Sequence, residues 1–210
     1  RLGELDLGHG RRQPRLGKGG KESRQPGLAV LAEAHAVLVG EHAGELLGDY
    51  YFKKFNVDVR GVRYPGIISS ETLPGGGTTD YAVAIYYDAI QKGKYECFVR
   101  EDTVLPMMYM PDALKGIIDL AEAPLENLKH HCDFNMASMS FSAGELAAEI
   151  KKHIPGLEVT YKPDFRQAIA DSWPQSIDDS AAREEWGWKP SYDISSMTKD
   201  MIEKLTDKLG

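Results

Sequence analysis

Three glycines followed by two threonines, Gly75-Gly76-Gly77-Thr78-Thr79, form the stretch of this sequence whose residue types lend themselves most directly to chemistry. Glycines permit left-handed backbone and a close approach of main chain to a ligand. The threonines offer hydroxyls and open a helix, whose start favours a carboxylate or a phosphate. The same residues also suit an ordinary loop that ends in a helix cap. A second glycine-rich stretch, "LGKGGKES", invites a phosphate-loop reading that its spacing rejects. Arg15 stands where the first glycine belongs, and Glu22 follows Lys21 where Ser or Thr is required. Cys97 and Cys132 are far apart, match no metal or redox spacing, and read as free thiols. His130 and His131 are expected at a helix end, where cations suit the dipole. Met107, Met108 and Met110, with Trp186 and Trp188, read as packing residues.

The elements that position these groups follow from periodicity. Residues 28–55 read as helix, with Leu46, Leu47, Tyr50, Tyr51 and Phe55 at helical spacing. Residues 57–64 read as strand, and a long irregular tail follows them to the glycines. A helix is expected over 78–93, a strand over 95–102 and a helix over 110–124. A further strand covers 132–137. The helix after it carries a capping box of Ser142 and Glu145. A strand over 157–163 and two final helices complete an α/β chain without internal repeats. In such sheets ligands sit at the carboxyl ends of strands, which is where the glycine–threonine stretch falls.

The 210 residues, 42% of them hydrophobic, suffice for about one domain. A formal net charge of -7 argues against nucleic acid as a partner. No apolar run approaches the roughly 18 residues of a membrane span. Residues 1–27 are rich in Gly, Arg, Lys and Pro and are expected to be disordered or non-native, leaving 28–210 as the structured part.

Several stretches carry a resemblance: "RYPGIIS" (63–69), "PGGGTTDYAV" (74–83), "LPMMYMPDAL" (105–114) and "FRQAIADSWPQSIDDSAAREEWGWKP" (165–190). They resemble the L-threonine 3-dehydrogenases of the extended short-chain dehydrogenase/reductase family, and "FNMASMSFS" (134–142) is similar to that family more widely. The resemblance runs from about residue 43 to the C-terminus. It implies the C-terminal part of a Rossmann-like NAD-binding fold with its substrate domain. The implied activity is NAD-dependent oxidation of L-threonine to 2-amino-3-oxobutyrate. It implies that Gly77, Thr78 and Thr79 contact L-threonine and that Trp173 helps close the pocket. For Trp173, a plain core tryptophan is the competing reading. Tyr64, Pro65, Gly66 and Ile67 would border the nicotinamide. Tyr109 and Asp112 would orient a helix of the substrate side. The family location would be cytoplasmic, or the mitochondrial matrix in a eukaryote.

Departures from the family pattern are as informative. Its chemistry needs a Tyr and a Lys four residues apart, so that the lysine's charge favours the phenolate base. With "AGELLGDYYFKKF" fixing the register, Val37 and Glu41 stand at those positions, and neither can act. The glycine fingerprint for the dinucleotide also has no counterpart. This chain is therefore expected to be truncated and inactive alone, and the unlike stretch 1–42 suggests a wrong reading frame or a damaged gene. Two other readings stand beside it. One is a nucleotide-sugar epimerase or dehydratase of the same superfamily. The other is a non-catalytic remnant that dimerises through helix 43–55.

Overall fold

The computed structural model describes residues 26–210, with side chains from residue 40 onward. Residues 38–210 form one compact unit, to which the description below is confined apart from the start of its first helix. The expectation for residues 1–25 lies outside the described residues, as does the side chain of Val37.

Helix α1, Pro26–Phe55, ends at Asn56, whose φ of 54° is left-handed. The N–H groups of Asn56 and Val57 bond back to the carbonyls of Phe52 and Tyr51, which satisfies orphan acceptors at the helix end. Seven short strands and six further helices follow. In chain order they are β1 (Val62–Arg63), β2 (Gly66–Ile68), α2 (Tyr81–Lys92), β3 (Lys94–Cys97), β4 (Val104–Tyr109) and α3 (Met110–Glu122). Then come β5 (Phe134–Asn135), β6 (Met139–Ser142), α4 (Ala143–His153), β7 (Glu158–Tyr161), α5 (Arg166–Asp171), α6 (Ser180–Trp186) and α7 (Ile194–Leu209).

The strands form three small sheets. β1 runs parallel to β5, and β3 runs parallel to β7. In the third sheet β4 is central, parallel to β2 and antiparallel to β6. Two apolar cores result. One gathers Tyr81, Tyr86, Leu105, Met107, Leu146, Ile150, Met201 and Leu205 between α2, α4, α7 and β4. The other gathers Met108, Leu120, Phe134, Met136 and Trp188 beneath α3. Each such side chain contributes about 1.5–3 kcal/mol on burial.

Strand alternation sorts the β1–β5 pair. Val62 and Phe134 enter the α3 core, while Arg63 bonds Glu45 of α1 and Asn135 bonds the carbonyl of Asp178. Arg60 terminates α3: its Nη1 donates to the carbonyls of Leu120, Ala121 and Ala123 at 2.5, 3.1 and 2.7 Å. The expected strand over 57–64 is thus shortened to Val62–Arg63, because Arg60 serves as this cap while Val59 and Gly61 bond to the segment 131–134. The expected strand over 95–102 closes at Cys97.

Close packing fixes one glycine in α3. A methyl at Gly116 would overlap Met136 Cε and lie 2.9 Å from Trp188 Cζ3. Gly116→Ala should therefore destabilise the unit by about 1–3 kcal/mol and lower Tm by a few degrees, despite alanine's better helix propensity. Calorimetry checks this, and an unchanged or raised Tm would contradict the overlap.

Candidate functional site

β2 leads into buried Ser69 and Ser70 and then into the glycine loop. The loop ends in a single 3₁₀ turn, Thr78–Asp80, that opens α2. Gly76 has φ 97°, a left-handed value that glycine adopts without strain. Its N–H and that of Gly77 both donate to Asp80 Oδ2, at 2.7 and 2.9 Å. These two loop amides are thereby engaged within the chain. Thr78 is buried and Thr79 half-buried.

The proposed site residues are brought together only in part. A Cβ on Gly66 would lie 2.7 Å from Thr79 Cγ2 and 2.6 Å from Met107 Sδ, so β2 and the threonine turn are in direct contact there. Pro65 and Ile67 are half-buried beside it. Tyr64 turns away: its hydroxyl donates to the carbonyl of Ala113 in α3 at 2.9 Å, and burial raises its pKa. Trp173 is 41% exposed, two residues beyond α5, which removes the reading of it as a core tryptophan. Arg166, the first residue of α5, donates to the carbonyl of Gly76 at 3.2 Å and so joins the two segments. Asp80, Arg166 and α5 itself were not singled out in the sequence. The available signal was an Asp just after the threonine pair and the Asp164-x-Arg166 spacing.

A wide cleft of about 930 Å³ opens elsewhere, between α1, β1 and the segment 174–178. Tyr64 and Pro174 line it, as do Glu41 and Gly44. The position where the family pattern places lysine therefore faces the same space as Tyr64, but it carries a glutamate. Gly77, Thr78, Thr79 and Trp173 do not line this cleft. One wall is held by a two-pronged pair: Arg63 Nε and Nη2 donate to Glu45 Oε1 and Oε2 at 2.6 and 2.5 Å. These bonds hold the Glu45 carboxyl below its usual range, against the opposing effect of burial.

Whether a dinucleotide fits these residues is decided by the helix starts. Pyrophosphate is normally held at an uncharged helix N-terminus after a glycine turn. Each of α2 to α7 instead has one of the chain's own carboxylates at or just before its first turn. Asp80 stands just before α2, although its carboxylate is bonded to the loop amides of Gly76 and Gly77, and Glu145 with Ser142 forms the expected capping box on α4. Asp164 and Asp178 accept from the first N–H groups of α5 and α6, and Asp193 accepts from Ser196 in α7. Buried Asp112, in the first turn of α3, accepts from the N–H groups of Ser191 and Tyr192. These described helix starts are therefore unsuited to a pyrophosphate. No group of three metal-ligating side chains occurs among the described residues, and none of their helices is long and apolar enough to cross a membrane.

The remaining candidates are structural. His130 and His131 lie in a loop rather than at a helix end, because α3 already stops at Glu122. His130 Nδ1 lies 2.6 Å from buried Glu185, and His131 stacks on Phe52. Tyr109 donates to Asp200 at 2.7 Å; desolvation first, then this bond, pushes its pKa up to about 12. Trp188 is buried and donates to the carbonyl of Ala137.

No family model matches the chain. The mitochondrial L-threonine 3-dehydrogenase of Bos taurus is 50% identical over 178 residues, which cover 84% of this chain and 48% of that protein. The L-threonine dehydrogenase structure from Clostridium difficile is 56% identical with a TM-score of 0.79, covering 81% of this chain and 54% of that one. This chain is a homologue of the L-threonine 3-dehydrogenases. It spans about half the length of the relatives it matches. An uncharacterised epimerase/dehydratase of Staphylococcus haemolyticus is also 50% identical, over 81% of this chain and 54% of that protein. The α/β Rossmann-like class is common to the threonine dehydrogenase structures and this one.

The Glu45–Arg63 pair sets a pH dependence. The folded pKa of Glu45 is depressed, so its contribution is full above the ordinary value near 4.5 and fades as pH falls through the lower folded value. Glu45→Gln should lower the urea midpoint at pH 6, and the gap to the native chain should shrink by pH 3. A gap that stays constant over that range would show that the pair adds nothing.

Proposed function

We propose that residues 38–210 are the substrate-side half of an NAD-dependent L-threonine 3-dehydrogenase, and that this chain does not catalyse the reaction by itself. The observation that carries the reading is the contact of Gly66 with Thr79, which sets the carboxyl end of β2 against the glycine–threonine loop. Around that contact Thr78 and Thr79 would orient L-threonine through their hydroxyls, since the loop amides of Gly76 and Gly77 are engaged by Asp80. Trp173, partly exposed beyond α5, would close over the substrate and exclude water. NAD, when bound by an intact relative, supplies the acceptor for the hydride that leaves the β-carbon. The residues here do not fit it: the described helix starts carry carboxylates, Val37 has no proton to exchange where the family's tyrosine stands, and Glu41 has the wrong charge for the lysine that would favour a phenolate. The location would follow the family: cytoplasm, or the mitochondrial matrix in a eukaryote, in keeping with a bovine relative named as mitochondrial.

A second reading concerns association. Leu46, Leu47, Tyr50, Tyr51 and Phe55 on α1 are each about half exposed, and the rings of Tyr50, Tyr51 and Phe55 lie within 6 Å of one another. That patch would suit pairing of two copies through residues 43–55.

Activity is tested by NADH formation at 340 nm with L-threonine. The native chain should give none. Val37→Tyr with Glu41→Lys should not restore it, because a base is typically worth only about 10²–10⁴ in rate and the cofactor still lacks its site. A chimera with an intact upstream half of a threonine dehydrogenase, joined near residue 43, should turn over. Turnover by the native chain would end the proposal. A folded but inactive chimera would instead place the damage in residues 43–210 and count against the proposed roles of Thr78, Thr79 and Trp173, and binding of a uridine nucleotide by the chimera would favour the epimerase reading.

Pairing is tested by light scattering after size exclusion. The native chain should move toward a dimer as concentration rises, and Leu47→Glu should keep it monomeric. A strict monomer at high concentration would exclude the dimer.

A further inference from the structure

The glycine loop and the segment carrying Trp173 are far apart in sequence, yet one set of polar contacts ties them. Asp80 Oδ2 accepts from two successive loop amides, Gly76 and Gly77, and the Asp80 N–H returns a bond to the carbonyl of Gly77 at 3.2 Å. Both exposed glycines are thus pinned from the α2 side. From the other side Arg166 Nη1 donates to the carbonyl of Gly76. Arg166 is itself held. Its Nε and Nη2 are bonded to Asp164, with Nη2–Oδ2 at 2.7 Å, and its guanidinium lies 3.2 Å from the centroid of the Phe98 ring. Burial works against the charge on Asp164, but Arg166 outweighs it and keeps the carboxyl below its usual range. A guanidinium clamped by a carboxylate and a ring face has little freedom left. Seven residues on, beyond α5, stands Trp173.

We propose that Asp80 and Arg166 are positioning residues that hold the glycine–threonine loop and the Trp173 segment as one body. The inference rests on the reading that these two segments face the substrate, and it adds that they do not move independently. Asp80 fixes the shape of the loop, and Arg166 fixes the loop to α5. Neither touches the reacting atoms. Lysine in place of Arg166 keeps the charge but loses the planar fork and the stacking on Phe98.

The test is amide exchange and chemical shift on the ¹⁵N-labelled full chain. In the native chain the exposed amides of Gly76 and Gly77 should exchange at least about tenfold more slowly than free glycine amides, the factor that about 1.4 kcal/mol represents. This reading needs no variant. Asp80→Ala should remove the protection at both glycines, and Asp80→Asn, which keeps an acceptor oxygen, should restore part of it. Arg166→Lys should shift the Thr79 amide and the Trp173 indole N–H together. Unprotected glycine amides in the native chain would overturn the proposal, as would an Arg166→Lys chain in which only one of Thr79 and Trp173 responds, or neither. A separate titration of the native chain with L-threonine keeps the two readings apart. If the latch behaves as stated but Thr79 and Trp173 ignore L-threonine, the substrate assignment fails and the coupling stands.

Discussion

β4 is the strand on which the other elements are hung. It is buried along almost its whole length and bonded on both edges, to β2 on one side and β6 on the other. Backbone groups in such a position have no access to water and must all find partners in the sheet. That requirement fixes β2 in register, Gly66 opposite Met107 and Ile68 opposite Tyr109. It is because Met107 lies opposite that Gly66 has no room for a side chain, and because Gly66 has none that Thr79 can lie against β2. The site therefore inherits its geometry from a strand that carries none of its chemistry. Tyr109, at the end of β4, then starts α3 and reaches Asp200 of α7, so the same strand also anchors the C-terminal helix.

A second regularity is electrostatic. The described helix starts from α2 onward are served by acids of the chain itself, each stabilising by about 0.3–1 kcal/mol through the helix dipole. Summed over six helices this gives local order without help from a ligand. It also decides what these helices cannot do. A helix start that is already neutralised has no potential left to offer an anion, so the dipoles here serve the fold and not the recognition of phosphate.

Much of this was legible in the sequence, for reasons that can be traced to particular residues. The helices α2, α3, α4 and α7 have wide apolar stripes and marked ends, such as Gly93 in its left-handed turn and the Ser142–Glu145 box. The family resemblance, carried by contiguous motifs, agrees with the homologues found. β4 was not legible, since "VLPMMY" contains Pro106 and, being buried on both faces, shows no alternation. β2 falls in the irregular tail before the glycines and β6 in the lead-in to the capped helix α4, where turn and cap residues mask the strand pattern. The contacts of Asp80 with Gly76 and of Arg166 across 90 residues depend on tertiary placement, and no local pattern announces them.

The end of the sheet at β1 has a consequence of a different kind. Among the described residues β1 is bonded along one side only, to β5. An open strand edge is a template on which identical chains can stack without limit. Two features blunt it here: the strand is two residues long, and one of those two is an arginine whose charge is held in place by Glu45. Once that carboxylate is protonated the arginine keeps its charge and loses its anchor, so in acid the edge is held less firmly in place yet carries an unpaired positive charge that opposes the docking of a second copy.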